Sequence, residues 1–152
     1  MTEGPVDLKT VANRLDLVER CVSDLKSLPS GSFEEFQADR RNPAAAESLL
    51  RRAIESLLDT ARHLLARTYG LGALEYREVA RLSAEKGFVR DKELASRFER
   101  IAGFRIRLTH HYEEVTNSEL YEILKHHLGD LEGLREELRQ AAARLADEAR
   151  SD

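Results

Sequence analysis

Arg105, Arg107 and His110 stand close together in the run Gly103-Phe104-Arg105-Ile106-Arg107-Leu108-Thr109-His110-His111-Tyr112. Histidine is the side chain whose ordinary pKa lets it both give and take a proton near neutral pH. Arginine carries a fixed cationic fork whose donors match the oxygens of a phosphate. Together they supply what metal-free cleavage of RNA requires. One group moves a proton to or from the 2′-hydroxyl or the leaving 5′-oxygen, and another stabilises charge building on the phosphoryl oxygens.

Spacing constrains how they meet. On an ideal helix Arg105 and Tyr112 fall on nearly the same face, whereas Arg105 and His110 lie roughly 140° apart around the axis. Arg105 and His110 therefore converge only if the arginine reaches around, the helix is distorted, or a second subunit completes the site. Arg107, three positions before His110, lies nearer to it and is a credible assistant. His111 reads as a flanking, supporting residue.

Other polar groups carry weaker signals. His126-His127, with Glu122 one turn earlier, suggests a metal, but no third or fourth ligand follows at a convincing spacing, so no metal is expected. Asp59 and His63 are one helical turn apart, placed to hydrogen-bond to each other and either support the site from a central helix or form a buried polar pair. Arg40-Arg41 and Arg51-Arg52 offer either phosphate contacts or a solvated face. Taken without context, His110 is more readily a structural histidine, and Arg105 can be a surface charge and Tyr112 a core ring with its hydroxyl at the rim.

The elements that must position these residues are helical. Leu8, Val11, Leu15, Val18, Val22 and Leu25 recur at spacings of three and four, and Pro29 with Gly31 ends that helix near Leu28. Ser32 with Glu35 resembles a capping box opening a short helix with Phe33 and Phe36. Asn42-Pro43 predicts a second start, with Asn as cap and Pro at the first helical position. The stripe from Leu49 to Leu65 makes this the most hydrophobic helix, ended by Gly70 and Gly72. A shorter helix spans about 74–86, closed by Gly87. Asp91 caps a helix carrying Leu94, Phe98, Ile101 and Leu108. Thr116 and Glu119 form another capping box, beyond which a helix continues nearly to the C-terminus, with a bend or break predicted near Gly129 or Gly133. No segment alternates long enough for a strand. The expectation is all-α: one domain over 1–152, an up-and-down bundle of four long helices plus one or two short ones.

Composition agrees. Across 152 residues, 41% are hydrophobic and 34% charged, which suits a helical bundle with densely charged outer faces. The formal net charge of −4 announces no global field for nucleic acid, so an RNA site must be a local patch. Cys21 is the single cysteine; it excludes an intrachain disulfide and reads as a small buried apolar residue. No signal peptide or membrane span is visible, so a cytoplasmic location is expected.

Arg105, four intervening residues, His110, one residue and Tyr112 resemble the Arg-x-x-x-x-His-x-Tyr motif of the HepT toxins within the HEPN superfamily. The pattern from Glu47 through Asp59 and His63, the Glu85-Lys86-Gly87 turn, Gly103-Phe104 and the final long helix are also similar to that family. Ile106 departs from it, because the family usually carries an Asn there that helps arrange the site. Thr109 replaces the usual Val. The resemblance implies a metal-independent endoribonuclease toxin without a cofactor, with Arg105 and His110 catalytic. It implies a homodimer that brings two motifs to one cleft, and RNA substrates, tRNA foremost. It also implies an antitoxin, a minimal nucleotidyltransferase that neutralises the toxin, in one version by AMP transfer to Tyr112. The alternative it leaves is a weak or inactive HEPN-like module that binds a nucleotidyltransferase, for which Ile106 gives some footing. A third reading is a helical scaffold whose C-terminal heptads merely dimerise.

Overall fold

In a computed structural model describing residues 4–110 and 114–151, the chain forms α1 (Leu8–Ser27), α2 (Phe33–Ala38), α3 (Arg41–Tyr69), α4 (Tyr76–Glu85), α5 (Lys92–Thr109), α6 (Asn117–His126) and α7 (Leu128–Ser151). The all-α expectation holds. Four of these are long, and the short ones number three among the described residues, because the predicted C-terminal helix breaks at His127 into α6 and α7. The break falls two residues before Gly129. Gly133 continues inside α7, where a Cβ would stand 3.0 Å from Leu94 Cδ1, so this glycine lets α5 pack close.

The apolar stripe seen in the sequence makes α3 the axis of the bundle: it touches each of the other six helices. Leu57, Leu58, Ala61, Leu64 and Leu65 on it are fully buried. Truncating one such leucine to alanine costs about 2–5 kcal/mol. The long helices alternate in direction. Gly4 N–H meets the Arg67 carbonyl and Arg14 the Asp59 carbonyl, so α1 runs antiparallel to α3. Lys26 of α1 meets Glu132 while Leu15 meets Arg135, so α1 also runs against α7. Arg97 meets Asp130 while Asp91 meets Glu137, which sets α7 against α5.

The caps explain most boundaries. Asp7 accepts from Lys9 and Thr10 N–H, and Asp91 from Glu93 and Leu94 N–H. Thr116 and Glu119 close a complete capping box. At Ser32 only half the box forms: Ser32 accepts from Glu35 N–H, but Glu35 reaches back to Gly31 N–H. Gly70 and Gly87 take positive φ at 68° and 77°, where a Cβ is disfavoured. One expected start is corrected. α3 begins at Arg41, so Asn42 lies inside the helix and gives its side-chain amide to the Phe36 carbonyl. Pro43 is still in the first turn, where a missing N–H costs no helical bond. Cys21 is buried, and burial is the main cause of a raised thiol pKa. No helix among the described residues is long and apolar enough to cross a membrane.

Candidate functional site

The helix that should carry the whole motif stops inside it. α5 ends at Thr109, whose hydroxyl donates back to the Arg105 and Ile106 carbonyls at 3.3 and 3.1 Å. A β-branched residue bonding its own helix in this way competes with continuation. His110 then turns extended, with φ −102° and ψ 129°, while its N–H still donates to the Ile106 carbonyl at 3.1 Å. The ideal-helix angle between Arg105 and His110 therefore does not bind, since His110 has left the helix. His111 and Tyr112 lie outside the described residues.

His110 and Arg107 border one cleft of about 770 Å³, whose far wall is Glu47, Ser48 and Arg51 of α3. Glu114 and Asn117, beyond the end of α5, also line it, so the cleft carries both signs of charge. Arg107 is held firmly: its two Nη atoms reach Glu119 at 2.6 and 3.0 Å, and Nη2 also donates to the Glu114 carbonyl at 3.1 Å. Glu119 thus closes the capping box of α6 and anchors Arg107, which pulls the carboxyl below its usual pKa.

Arg105 points to a different neighbourhood. Its Nε and Nη2 donate to Glu55 Oε1 at 3.3 and 3.2 Å, and the same oxygen lies 3.6 Å from Arg51 Nη1. Glu55 is therefore one carboxylate shared between the motif arginine and a wall of the His110 cleft. The Arg105 guanidinium also lies over the Tyr76 ring at 4.8 Å, and Arg62 lies over that ring at 4.5 Å. Tyr76 donates its hydroxyl to Asp59 Oδ1 at 2.8 Å. Burial, and then the Asp59 hydrogen bond, push the Tyr76 pKa up to about 12. The ring stays a neutral phenol and keeps the π face that holds a cation.

Ile106 lines another cleft, of about 660 Å³, with Arg77, Arg100 and Arg107 on its rim and Glu99 beside them. Gly103 serves this surface: a Cβ there would come within 3.1 Å of Arg77 Nη2, so the glycine lets that guanidinium lie against α5.

The expected Asp59–His63 hydrogen bond is not formed. Asp59 turns to Tyr76, and His63 Nε2 accepts the Asp7 N–H at 3.0 Å. Asp59 nevertheless reaches the motif, through the Tyr76 ring beneath Arg105. His126 and His127 face different carboxylates, Glu122 at 3.7 Å and Asp130 at 3.6 Å. Among the described residues no three His, Cys, Asp or Glu side chains cluster to hold a metal. Glu55, Tyr76 and Glu119 are the site residues that sequence reading did not assign. Glu55 had a signal, lying one turn from Arg51 on the polar seam of α3; Tyr76 had none.

A sequence profile of the HepT-like family, described as ribonuclease HepT-like, matches residues 18–138. The chain belongs to the HepT-like family. Solved structures of similar fold include a Shewanella oneidensis HEPN toxin, tri-AMPylated and in complex with its MNT antitoxin. That match is 20% identical, with a TM-score of 0.77, and covers 86% of this chain and 97% of the other. A toxin–antitoxin complex with AMP-PNP aligns at 19% identity and a TM-score of 0.74, covering 85% and 97%. A tyrosine-to-alanine variant of the MntA–HpeT toxin–antitoxin complex aligns at 20% identity and a TM-score of 0.75, covering 86% and 98%. A comparison with curated proteins gives no match. In this HepT-like chain the described part of the motif is thus split: His110 sits with Arg107 on the cleft at the end of α5, and Arg105 sits one turn back, between Glu55 and Tyr76.

Proposed function

We propose that this HepT-like chain is the RNA-cleaving toxin of a toxin–antitoxin pair, a metal-independent endoribonuclease acting on tRNA. The observation that carries the reading is the end of α5. There His110 leaves the helix to face an open cleft with Arg107 and Arg51, while Arg105 lies one turn behind, tied to Arg51 through Glu55.

In this mechanism the substrate 2′-oxygen attacks phosphorus and displaces the 5′-oxygen, leaving a 2′,3′-cyclic phosphate and a 5′-hydroxyl. The His110 imidazole takes the 2′-hydroxyl proton, and an imidazolium returns one to the departing 5′-oxygen. A homodimer that brings two His110 residues to one cleft supplies both partners at once. Arg105 exchanges Glu55 for a phosphoryl oxygen, swapping one anion for another, and Arg107 supports it. His111, next in the chain, is the supporting residue in this reading.

The partner is a minimal nucleotidyltransferase. It silences the toxin by AMP transfer, in which the Tyr112 phenol oxygen attacks the α-phosphorus of ATP and pyrophosphate leaves. An adenylylated Tyr112 adds negative charge and a bulky base two residues from His110 in the chain, which disfavours RNA. The toxin–antitoxin and AMPylation descriptions of the similar structures support this.

A second reading, a non-catalytic module that binds the nucleotidyltransferase, gains from Ile106 and from the carboxylates that hold Arg105 and Arg107. Inducing the chain without its partner separates the two. The toxin reading expects growth arrest and fragmented RNA, both lost in His110→Ala and Arg105→Ala. Unchanged growth with intact RNA, alongside capture of the nucleotidyltransferase, would establish the second.

A further inference from the structure

A third cavity, of about 280 Å³, opens where the start of α1 crosses α3 beneath the α3–α4 loop. Arg14 of α1 and Asp59, Arg62 and His63 of α3 form its polar walls, and Gly72 and Ala73 of the loop face them. It lies apart from the His110 cleft: Arg51 and Arg62 are separated by about 16 Å along the α3 axis.

Donors outnumber acceptors around this cavity. Arg14 spends Nη1 on the Asp59 carbonyl at 3.0 Å, and Arg62 spends Nη2 on the Leu74 carbonyl at 3.0 Å. Arg62 Nε is buried with no hydrogen-bond partner. His63 Nε2 accepts the Asp7 N–H, so in the neutral ring the proton sits on Nδ1, which is a donor. Asp59 is the one carboxylate in the lining, and it already receives the Tyr76 hydroxyl at 2.8 Å and faces Arg62 Nη1 at 3.5 Å. Arg67, one turn beyond His63, stands outside the lining, and its Nε is also buried and unpartnered. Burial first, and then the charges of Arg14 and Arg67, hold His63 below its ordinary pKa, against the opposite pull of Asp7.

We propose that this cavity is a phosphate-binding site in which Arg14, Arg62 and the Nδ1–H of His63 hold the oxygens of a phosphate monoester or diester. A phosphate offers acceptors only, which matches a wall of surplus donors, and its geometry suits the planar fork of arginine. A water takes about 30 Å³ of liquid, so the cavity also has room for an attached sugar. The site does not depend on RNA cleavage.

Inorganic phosphate titrated into the whole protein, followed by the His63 imidazole NMR resonances, tests it directly. The proposal expects saturable His63 shifts with phosphate and none with chloride at matched ionic strength. Folded Arg14→Gln and Arg62→Gln each bind about tenfold more weakly, the loss of one charge-assisted hydrogen bond. AMP, and an RNA oligonucleotide with or without a 5′-phosphate added to the uncleaving His110→Ala protein, identify the source. Shifts from both oligonucleotides assign the site to the RNA backbone, and shifts from AMP or the phosphorylated RNA alone assign it to a terminal monoester. If phosphate leaves His63 unmoved, or moves it no differently from chloride, the proposal is wrong. The wild-type titration decides this even if a variant does not fold.

Discussion

Tyr76→Leu is the substitution that most sharply examines how Arg105 is held. The change removes the ring beneath two guanidinium groups, at 4.8 Å for Arg105 and 4.5 Å for Arg62, and the hydroxyl that meets Asp59 at 2.8 Å. The hydroxyl is separable, because Tyr76→Phe deletes it alone; a hydrogen bond to a charged acceptor is worth about 1.5–3 kcal/mol. The ring's hold on Arg105 is isolated by a double-mutant cycle of Tyr76→Leu with Arg105→Met. A cation over an aromatic face contributes about 0.5–1 kcal/mol when exposed and about 2 when desolvated. With the Arg105 side chain 28% exposed, the coupling should be close to about 1 kcal/mol. Urea unfolding of the four proteins by circular dichroism at equal m gives the coupling directly. The cost of leaving Glu55 unpaired appears in both arms that lack Arg105, and so cancels. Additivity within about 0.3 kcal/mol would mean that the ring does not hold the arginine.

Other consequences follow from the same geometry. Tyr76 is held protonated in the fold up to about 12, above the ordinary tyrosine value near 10. Its contribution is therefore complete below pH about 10 and lost as pH rises toward 12, because the unfolded chain releases its proton first. Alkaline unfolding should accordingly flatten in Tyr76→Phe, as ultraviolet phenolate absorbance and circular dichroism would show. Glu55→Gln removes the carboxylate shared by Arg51 and Arg105. In a His110→Ala background it should tighten RNA binding several-fold, by roughly 1 kcal/mol, and steepen the salt dependence measured by filter binding. Thr116→Ala opens the capping box at the start of α6 and should cost about 1 kcal/mol in chemical unfolding, through a lost N-cap.

Much of this molecule was legible as sequence because its helices advertise themselves locally. Asp91 and the Thr116–Glu119 pair mark their helix starts by side-chain chemistry alone, and the Leu49–Leu65 stripe identified the central helix. The start of α3 was misread because Asn42 spends its amide on the Phe36 carbonyl, a tertiary contact that no local pattern encodes. The C-terminal break was foreseen near Gly129 or Gly133, but the chain turns at His127, which has no breaker chemistry of its own. At the site, the motif was readable from residue types and spacing, whereas its setting was not. Glu55 and Tyr76 come from α3 and α4, and only the packing of α5 on both brings them to Arg105. Asp59 was singled out for a bond to His63 one turn away. Both side chains instead turn to partners distant in sequence, Tyr76 and Asp7, so the spacing was right and the pairing was not.

Incubating purified protein with tRNA in the presence of a metal chelator, alongside folded His110→Ala and Arg105→Ala, tests the central claim most directly. The account predicts discrete fragments with 2′,3′-cyclic phosphate and 5′-hydroxyl ends from the wild type and intact tRNA from both variants. Intact tRNA from the wild type, or equal cleavage by all three proteins, would contradict it.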